Sequence, residues 1–174
     1  MDVFAKIGQR QITVYSSTIV SSREYLLWKY EVLKNFILSE PRFYKKNNSL
    51  TIRTISHSEL TALRLIFYRQ NKKIIPTIIE EFLDDPLILA VWFMDDGNIR
   101  KRNGSLNSYD LNTQSFSLEE NKEVAKAMQN VHGIRFTINL NNGYYRLHLS
   151  VKDTLKFRDL IKPFVVESMR YKLG

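Results

Sequence analysis

The stretch Leu89-Ala90-Val91-Trp92-Phe93-Met94-Asp95-Asp96-Gly97 decides how the rest of the chain is read. An apolar run of helical character ends abruptly in two acids and a glycine. The helix dipole opposes negative charge at a C-terminus, so an ordinary core helix has no use for adjacent carboxylates there. A metal-dependent site does, because carboxylate oxygens are hard ligands suited to Mg²⁺. Gly97 reads either as a point where the backbone can turn and approach a ligand or as a plain helix C-cap.

The composition around this run narrows the partner. The chain carries 26 Lys+Arg against 18 Asp+Glu, a net charge of +8 over 174 residues, which favours a polyanion. An anionic membrane surface is the weaker alternative, since no basic amphipathic helix with a clean apolar face is evident. The longest apolar runs are too short to span a bilayer, and Met1-Asp2-Val3-Phe4 lacks the layout of a signal peptide. Without cysteine there are no disulfides and no thiolate metal sites. His57, His132 and His148 are too scattered for a metal cluster, and no phosphate-loop, zinc or nucleophile motif is present. Abundant Asn, Ile and Lys accord with an AT-rich genome such as that of an organelle. The expected location is a mitochondrion, a chloroplast or a bacterial cytoplasm.

The chain also nearly repeats itself at an offset of 96 residues. Ser21-Ser22-Arg23-Glu24 and Ser117-Leu118-Glu119-Glu120 each open a helix with a capping-box layout. Spaced apolar residues follow: Leu26, Leu27, Tyr30, Leu33 and Ile37 in the first, Val124, Ala127, Met128 and Val131 in the second. A hairpin comes next in both halves. Arg42–Lys46 turns at Asn47-Asn48 into Ser49–Ser56, and Ile134–Leu140 turns at Asn141-Asn142-Gly143 into Tyr144–Val151. Further helices are expected over Ser58–Arg69 and Lys152–Ile161, and each half closes on a basic residue, apolar residues and a proline. Upstream of the second-half helix lie the acid-tipped helix, Pro86–Asp96, and strands near Asn98–Arg102 and Tyr109–Ser115. Carried back by the offset, Gly97 falls on Met1. The first half therefore keeps its strands, near Val3–Lys6 and Gln11–Ser16, and is expected to lack its own acid-tipped helix. The repeats are placed at residues 1–85, incomplete, and 86–174, complete.

With Leu111-Asn112-Thr113-Gln114-Ser115-Phe116-Ser117 and the ending Ile161-Lys162-Pro163-Phe164 … Tyr171-Lys172-Leu173-Gly174 in register, the chain resembles the LAGLIDADG homing endonucleases. The resemblance is to the intron-encoded branch with a Trp-Phe-Met-Asp-Asp-Gly motif. It implies an α+β fold of two pseudo-symmetric α-β-β-α-β-β-α halves, the first without its N-terminal motif helix. In the family, these halves form a saddle of antiparallel sheets over the DNA major groove. It implies Mg²⁺ at the tips of the motif helices, held by Asp96, with the Gly97 position beside it. Asp95 is expected to be a supporting or solvent-facing acid. Gln114 matches the position that holds water beside the metal. Lys172 is the candidate for the basic residue that stabilises phosphate charge, with Lys73 its first-half counterpart.

Residues on the alternate, polar face of the strands are the expected DNA contacts. In the second half these are Arg100, Arg102, Asn107, Tyr109, Asn112, Asn139, Asn141, Arg146 and His148. In the first they are Arg10, Gln11, Thr13, Arg42, Tyr44, Lys46, Thr51 and Arg53. Arginine suits guanine, Asn and Gln suit adenine, and Lys and Arg suit phosphate. Any one of them alone would read as a solvated side chain; the argument is their clustering. Trp28 and Trp92 fall on apolar helical faces and read as core.

The activity implied is Mg²⁺-dependent hydrolysis of phosphodiester bonds at an intron-insertion-type site in double-stranded DNA. Cutting two strands needs two metal-bearing acids, and one motif helix is evident. The missing helix is expected first from a separate chain or an upstream segment. Second comes a degenerate DNA-binding protein that does not cut, and third a homodimer through Leu89–Asp96. The first and third readings predict an exposed apolar face at Leu89, Ala90, Phe93 and Met94. Other roles open to the same fold are an intron RNA maturase, binding RNA by shape and phosphate contacts, and a non-enzymatic DNA regulator.

Overall fold

The computed structural model describes residues 4–7, 12–19 and 23–174, which divide into two compact units, Met1–Tyr68 and Arg69–Gly174. The first unit contains strands β1 (Phe4–Ile7) and β2 (Ile12–Ile19), helix α1 (Arg23–Val32), strands β3 (Arg42–Tyr44) and β4 (Ser49–Arg53), and helix α2 (Ser58–Phe67). At the junction a two-stranded ribbon, β5 (Tyr68–Arg69) and β6 (Lys72–Lys73), turns through Gln70 and Asn71, both at positive φ. The second unit continues with α3 (Ile79–Leu83), α4 (Pro86–Asp96), β7 (Gly97–Arg102), β8 (Ser105–Leu111), α5 (Leu118–His132), β9 (Phe136–Asn141), β10 (Tyr144–Leu149) and α6 (Val151–Ile161). It closes in two 3₁₀ segments, Lys162–Phe164 and Glu167–Leu173.

The duplication is visible in the topology. The sheets run β1-β2-β4-β3 and β7-β8-β10-β9, both antiparallel, so each unit orders its strands first, second, fourth, third. Residues 69–85, assigned to the first repeat by sequence phase, cluster with the second unit; α3 lies along α5, where Asn130 donates to Glu80 and His132 bonds the Leu83 carbonyl.

Local chemistry sets the element ends. Helix α4 starts behind Asp85, whose carboxylate accepts from the Leu87 N–H, with Pro86 in the first turn. Helix α5 carries the expected capping box between Ser117 and Glu120 and ends on Gly133 in the left-handed region. The candidate cap of α1, Ser21-Ser22, lies outside the described residues. Helix α1 stops at Val32; a 3₁₀ turn over Lys34–Phe36 follows, so Ile37 is buried from a loop rather than a helix. Strand β8 ends at Leu111 and not at Ser115, because Thr113 is buried and bonded to the Asn121 side chain, which bends the chain into α5.

The core of the second unit is aromatic. The Phe93 ring lies 4.5 Å from that of Tyr109 and 5.7 Å from that of Phe157, which also meets Phe136 at 6.1 Å. Two expectations fail here. Tyr109 is not on the DNA-facing side of β8: it is fully buried, and its hydroxyl donates to the Leu173 carbonyl at 2.7 Å. The strand alternation, counted through Asn107, breaks at a bulge. Arg100 pairs with Ser108 and Lys101 with Leu106, leaving Asn107 as the extra residue. Nor is there an exposed apolar face at Leu89, Ala90, Phe93 and Met94, all of which are buried. Helix α4 is apolar on every side, and Ile88, 38% exposed, is its most open large residue.

Burial raises the Tyr109 phenol to about 12 from 10.0. The folded state thus holds this proton more firmly than the unfolded chain. Its contribution to stability is complete below pH 10 and is lost as pH rises toward 12. Tyr109→Phe is expected to lower unfolding free energy by about 1 kcal/mol at neutral pH. It should also flatten the decline between pH 10 and 12, as read by denaturant titration, and leave DNA affinity unchanged.

Candidate functional site

The chemistry gathers at the C-terminal end of α4. Asp95 and Asp96 are both half-buried there, at the point where the chain passes directly into β7. Gly97 has φ −80° and ψ 143°, ordinary extended backbone, so a turn is not why glycine is needed. The reason is space: a Cβ at Gly97 would collide with the Phe93 ring and carbonyl. The glycine lets the first residue of β7 lie flat against the aromatic core, which fixes where Asp96 emerges.

Three groups hold this end. The Lys172 ammonium donates to the Met94 carbonyl at 2.6 Å and to the Gly97 carbonyl at 3.0 Å. These carbonyls at the end of α4 are thereby capped by a cation, which also suits the negative end of the dipole. The Asn112 N–H donates to the Asp96 carbonyl at 3.0 Å. The Asn112 side chain in turn accepts from Asn98 and from Gln114, each at 3.3 Å. Gln114 is thus linked to the backbone of Asp96 through Asn112. It also lines, with Asn142, Tyr144 and Arg146, an open cavity of about 350 Å³.

Electrostatics single out Asp96. Burial first, and the neighbouring Asp95 second, push its carboxyl above the usual aspartate value; the ammonium groups of Lys73 and Lys172 pull it back. Burial lowers Lys172, opposed by Asp95 and Asp96. Lys73, on β6, is exposed and stands 5.7 Å from the centre of the Phe116 ring. The structure therefore brings Asp96, Lys73 and Lys172 into one electrostatic unit. Lys73, expected as the counterpart of Lys172 in the other half, acts on the same carboxylate.

The donor set suits a hard cation that keeps much of its own shell. Among the described residues no three acidic or histidine side chains form a metal cage. Mg²⁺ accepts such a site, since it is commonly bound by one or two carboxylates plus waters and phosphate oxygens. A desolvated carboxylate beside a second acid, raised in pKa, is the group a divalent cation would stabilise most. The Gly97 carbonyl already accepts from Lys172.

The outward face of the second sheet carries most of the expected contacts. Register places Asn98 and Arg100 on β7, Asp110 at the end of β8, Arg146 and His148 on β10, and Asn139 on β9 along one face, and Asn112, just past β8, bonds Asn98 there. The inner face buries Tyr109, Leu111, Leu147, Leu149 and Phe136. Arg102 and Asn141 are placed by strand position, at the hairpin ends. In the first unit Arg42 pairs with Thr51, and Tyr44 and Arg53 share that face, opposite buried Leu50 and Ile52. Lys46 lies in a 3₁₀ turn between β3 and β4 and is exposed. Thr13 is placed in β2 opposite Lys6; Arg10 and Gln11 lie outside the described residues. Sequence reasoning missed Asp110, a buried acid on the polar face that bonds both Arg100 and His148. The apolar-polar alternation Tyr109-Asp110-Leu111-Asn112 carried the signal.

Comparison with known proteins matches this geometry. A sequence model of the LAGLIDADG DNA endonuclease family matches residues 6–157, and the chain belongs to that family. It is 27% identical over 191 residues to a protein of Wickerhamomyces canadensis named probable intron-encoded endonuclease 1, covering 96% of this chain and 81% of that one. It is 29% identical to DNA endonuclease I-ChuI of Chlamydomonas applanata, covering 86% and 78%. It is also 28% identical to cytochrome b mRNA maturase bI2 of Debaryomyces hansenii, covering 88% and 61%. Among solved structures, the homing endonuclease I-WcaI bound to its DNA recognition sequence superposes with a TM-score of 0.89. The identity is 25%, over 99% of this chain and 80% of that one. The fold is α+β, as expected, and among the described residues no helix is long and apolar enough to cross a membrane.

A carboxyl whose folded value lies above its free value removes stability as pH rises through the acid range. Asp96→Asn is therefore expected to raise the melting temperature of the metal-free protein at pH 7. The gain should correspond to roughly 0.5–1 kcal/mol, the scale of a charge at a helix end. It should shrink toward zero as pH falls past the free aspartate value of about 4. Thermal scans across that range check both.

Proposed function

We propose that this chain is a site-specific DNA endonuclease that hydrolyses phosphodiester bonds at an intron-insertion-type site, with Mg²⁺ as cofactor. The observation that carries the reading is the desolvated Asp96 carboxylate at the end of α4, flanked by Lys73 and Lys172 and adjoining a sheet with an outward polar and basic face. Asp96 would hold the cation. Bound there, Mg²⁺ supplies Lewis-acid polarisation of a phosphoryl oxygen and lowers the pKa of a bound water.

The chain's own groups do the rest. Gln114, linked to Asn112, orients a water at the edge of the site. Lys73 offers an exposed cation to the phosphate. Lys172 keeps α4 seated by capping Met94 and Gly97, so its part is to position Asp96 as much as to balance charge. The outward residues of both sheets bind duplex DNA, with phosphate contacts setting affinity and base-edge contacts setting the site. I-WcaI, solved bound to its DNA recognition sequence, accords with this partner. One such centre accounts for one strand. A second acid of the same kind, from a separate chain or further segment, is what the second strand requires. The intron-encoded relatives support an origin in an organelle genome.

A maturase role is the second reading. It is favoured by the 28% identity to the cytochrome b mRNA maturase bI2 and needs only the basic sheet faces. Incubation of the chain with supercoiled plasmid carrying the intronless insertion locus separates the two. Mg²⁺-dependent nicking is expected, reduced at least about a hundredfold in Asp96→Asn, with binding that weakens steeply as salt rises. Mg²⁺ should raise the melting temperature of the wild type and leave that of Asp96→Asn unmoved. Selective binding of the intron RNA, with no nicking of the locus, would replace this reading by the maturase.

A further inference from the structure

Asp110 is an acid on a face that is otherwise polar or basic. Its carboxylate is 4% exposed and occupies the second strand of the sheet, between β7 and β10. Oδ2 accepts from Arg100 Nε at 2.6 Å, and Oδ1 accepts from His148 Nδ1 at 2.7 Å. Arg100 and His148 themselves are 51% and 24% exposed. Both carboxylate oxygens are thus spent on the two flanking side chains, and both of those reach outward past it.

An acid buried on a surface that meets phosphates is costly on two counts: desolvation, and repulsion from the polyanion. Two cationic or donor partners offset the first, as buried charges require. The geometry shows what the arrangement achieves. With Nε tethered, rotation of the Arg100 guanidinium about its stem is restrained, and its two terminal amino groups are left as a fork on a side chain that is half exposed. A planar fork of that kind matches O6 and N7 of guanine in the major groove. With Nδ1 donating to Asp110, the proton of a neutral His148 ring sits on Nδ1. Nε2 is then an acceptor, which suits an exocyclic amino group of adenine or cytosine.

We propose that Asp110 is a specificity-positioning residue: it fixes the fork of Arg100 for guanine and the tautomer of His148 for a neighbouring amino-bearing base. The inference rests on the DNA-binding reading above. Asp110 touches no DNA itself. It makes two flexible contacts into rigid ones, so that a wrong base meets donors that cannot swing away, and it tempers the local positive charge that would hold any sequence equally.

Selection of bound duplexes from a pool randomised at every position tests this with no target sequence assumed. The full chain is used, as wild type, Asp110→Asn, Arg100→Ala and His148→Ala. Wild type is expected to enrich a defined motif; failure to enrich any sequence would refute the DNA-binding reading itself rather than the role of Asp110. Arg100→Ala and His148→Ala each erase preference at one or two positions and so map them. Asp110→Asn is expected to lose about tenfold discrimination at those mapped positions, keep the rest of the motif, and bind random duplex as tightly as wild type or more tightly. Because Asp110 is buried, its variant is checked by melting temperature. Should it not fold, Arg100→Lys serves in its place: an exposed change that keeps the charge and the salt slope but removes the fork, with the same loss expected at the guanine position. Retention of wild-type preference at the mapped positions by Asp110→Asn, or by Arg100→Lys in its place, overturns the proposal. So does a uniform fall in affinity for all sequences.

Discussion

The second unit depends on how α4 is allowed to end. Two carboxylates sit where the helix dipole opposes them, next to an aromatic core that excludes water from one side. That is an unstable place for charge, and everything around it offsets the cost. Lys172 caps carbonyls at the helix end, Asn112 ties down the Asp96 carbonyl, and Gly97 gives up its side chain so that Phe93 can close the core behind the acids. Asp96 is held at the helix end, its charge offset only in part by Lys73 and Lys172. A divalent cation bound there would offset the remainder.

The sheet repeats the same logic at lower stakes. Its inner face is sorted mainly by the hydrophobic effect, with Tyr109, Leu111, Leu147 and Leu149 buried. Its outer face is not simply wetted. Asn98, Asn112 and Gln114 are joined by hydrogen bonds, and Arg100, Asp110 and His148 form a second group along the same strands. The second group is anchored on β8 and the first on Asn112, the residue that follows it, so one stretch of chain organises both sets of outward side chains.

Much of this was legible in the residues. Helix α4 runs from Pro86 to Asp96 as its pattern predicts, because proline, an Asp cap and a glycine stop agree with one another. The Ser117–Glu120 capping box and the Asn142-Gly143 turn are equally local signals and equally well placed. What failed was non-local. Counting alternation across a bulge put Tyr109 on the wrong face, since the extra residue at Asn107 is set by pairing with β7 rather than by its own sequence. The ribbon at Gln70-Asn71 was invisible, because neither residue is a glycine and the strands are two residues long. Burial of Leu89, Ala90, Phe93 and Met94 could not be read from an all-apolar helix, which offers no polar stripe to orient it. The candidate residues Asp96, Lys172 and Gln114 came from resemblance. The contacts that give them meaning, above all Lys172 on the carbonyls of Met94 and Gly97, join residues far apart in the chain.

The bulge on β8 has a consequence for how such a protein changes over generations. On the α4 side of it, Ser108, Asp110 and Asn112 keep step with the core; beyond it, Ser105 pairs with Arg102 at the hairpin tip. An irregularity between the two segments uncouples them. The tip can gain, lose or shift a residue without turning Tyr109 or Leu111 outward, because the misfit is absorbed where one already exists. Change at the hairpin tip is thereby separated from the packing that keeps the protein folded, and a lineage can vary that tip without passing through an unfolded ancestor.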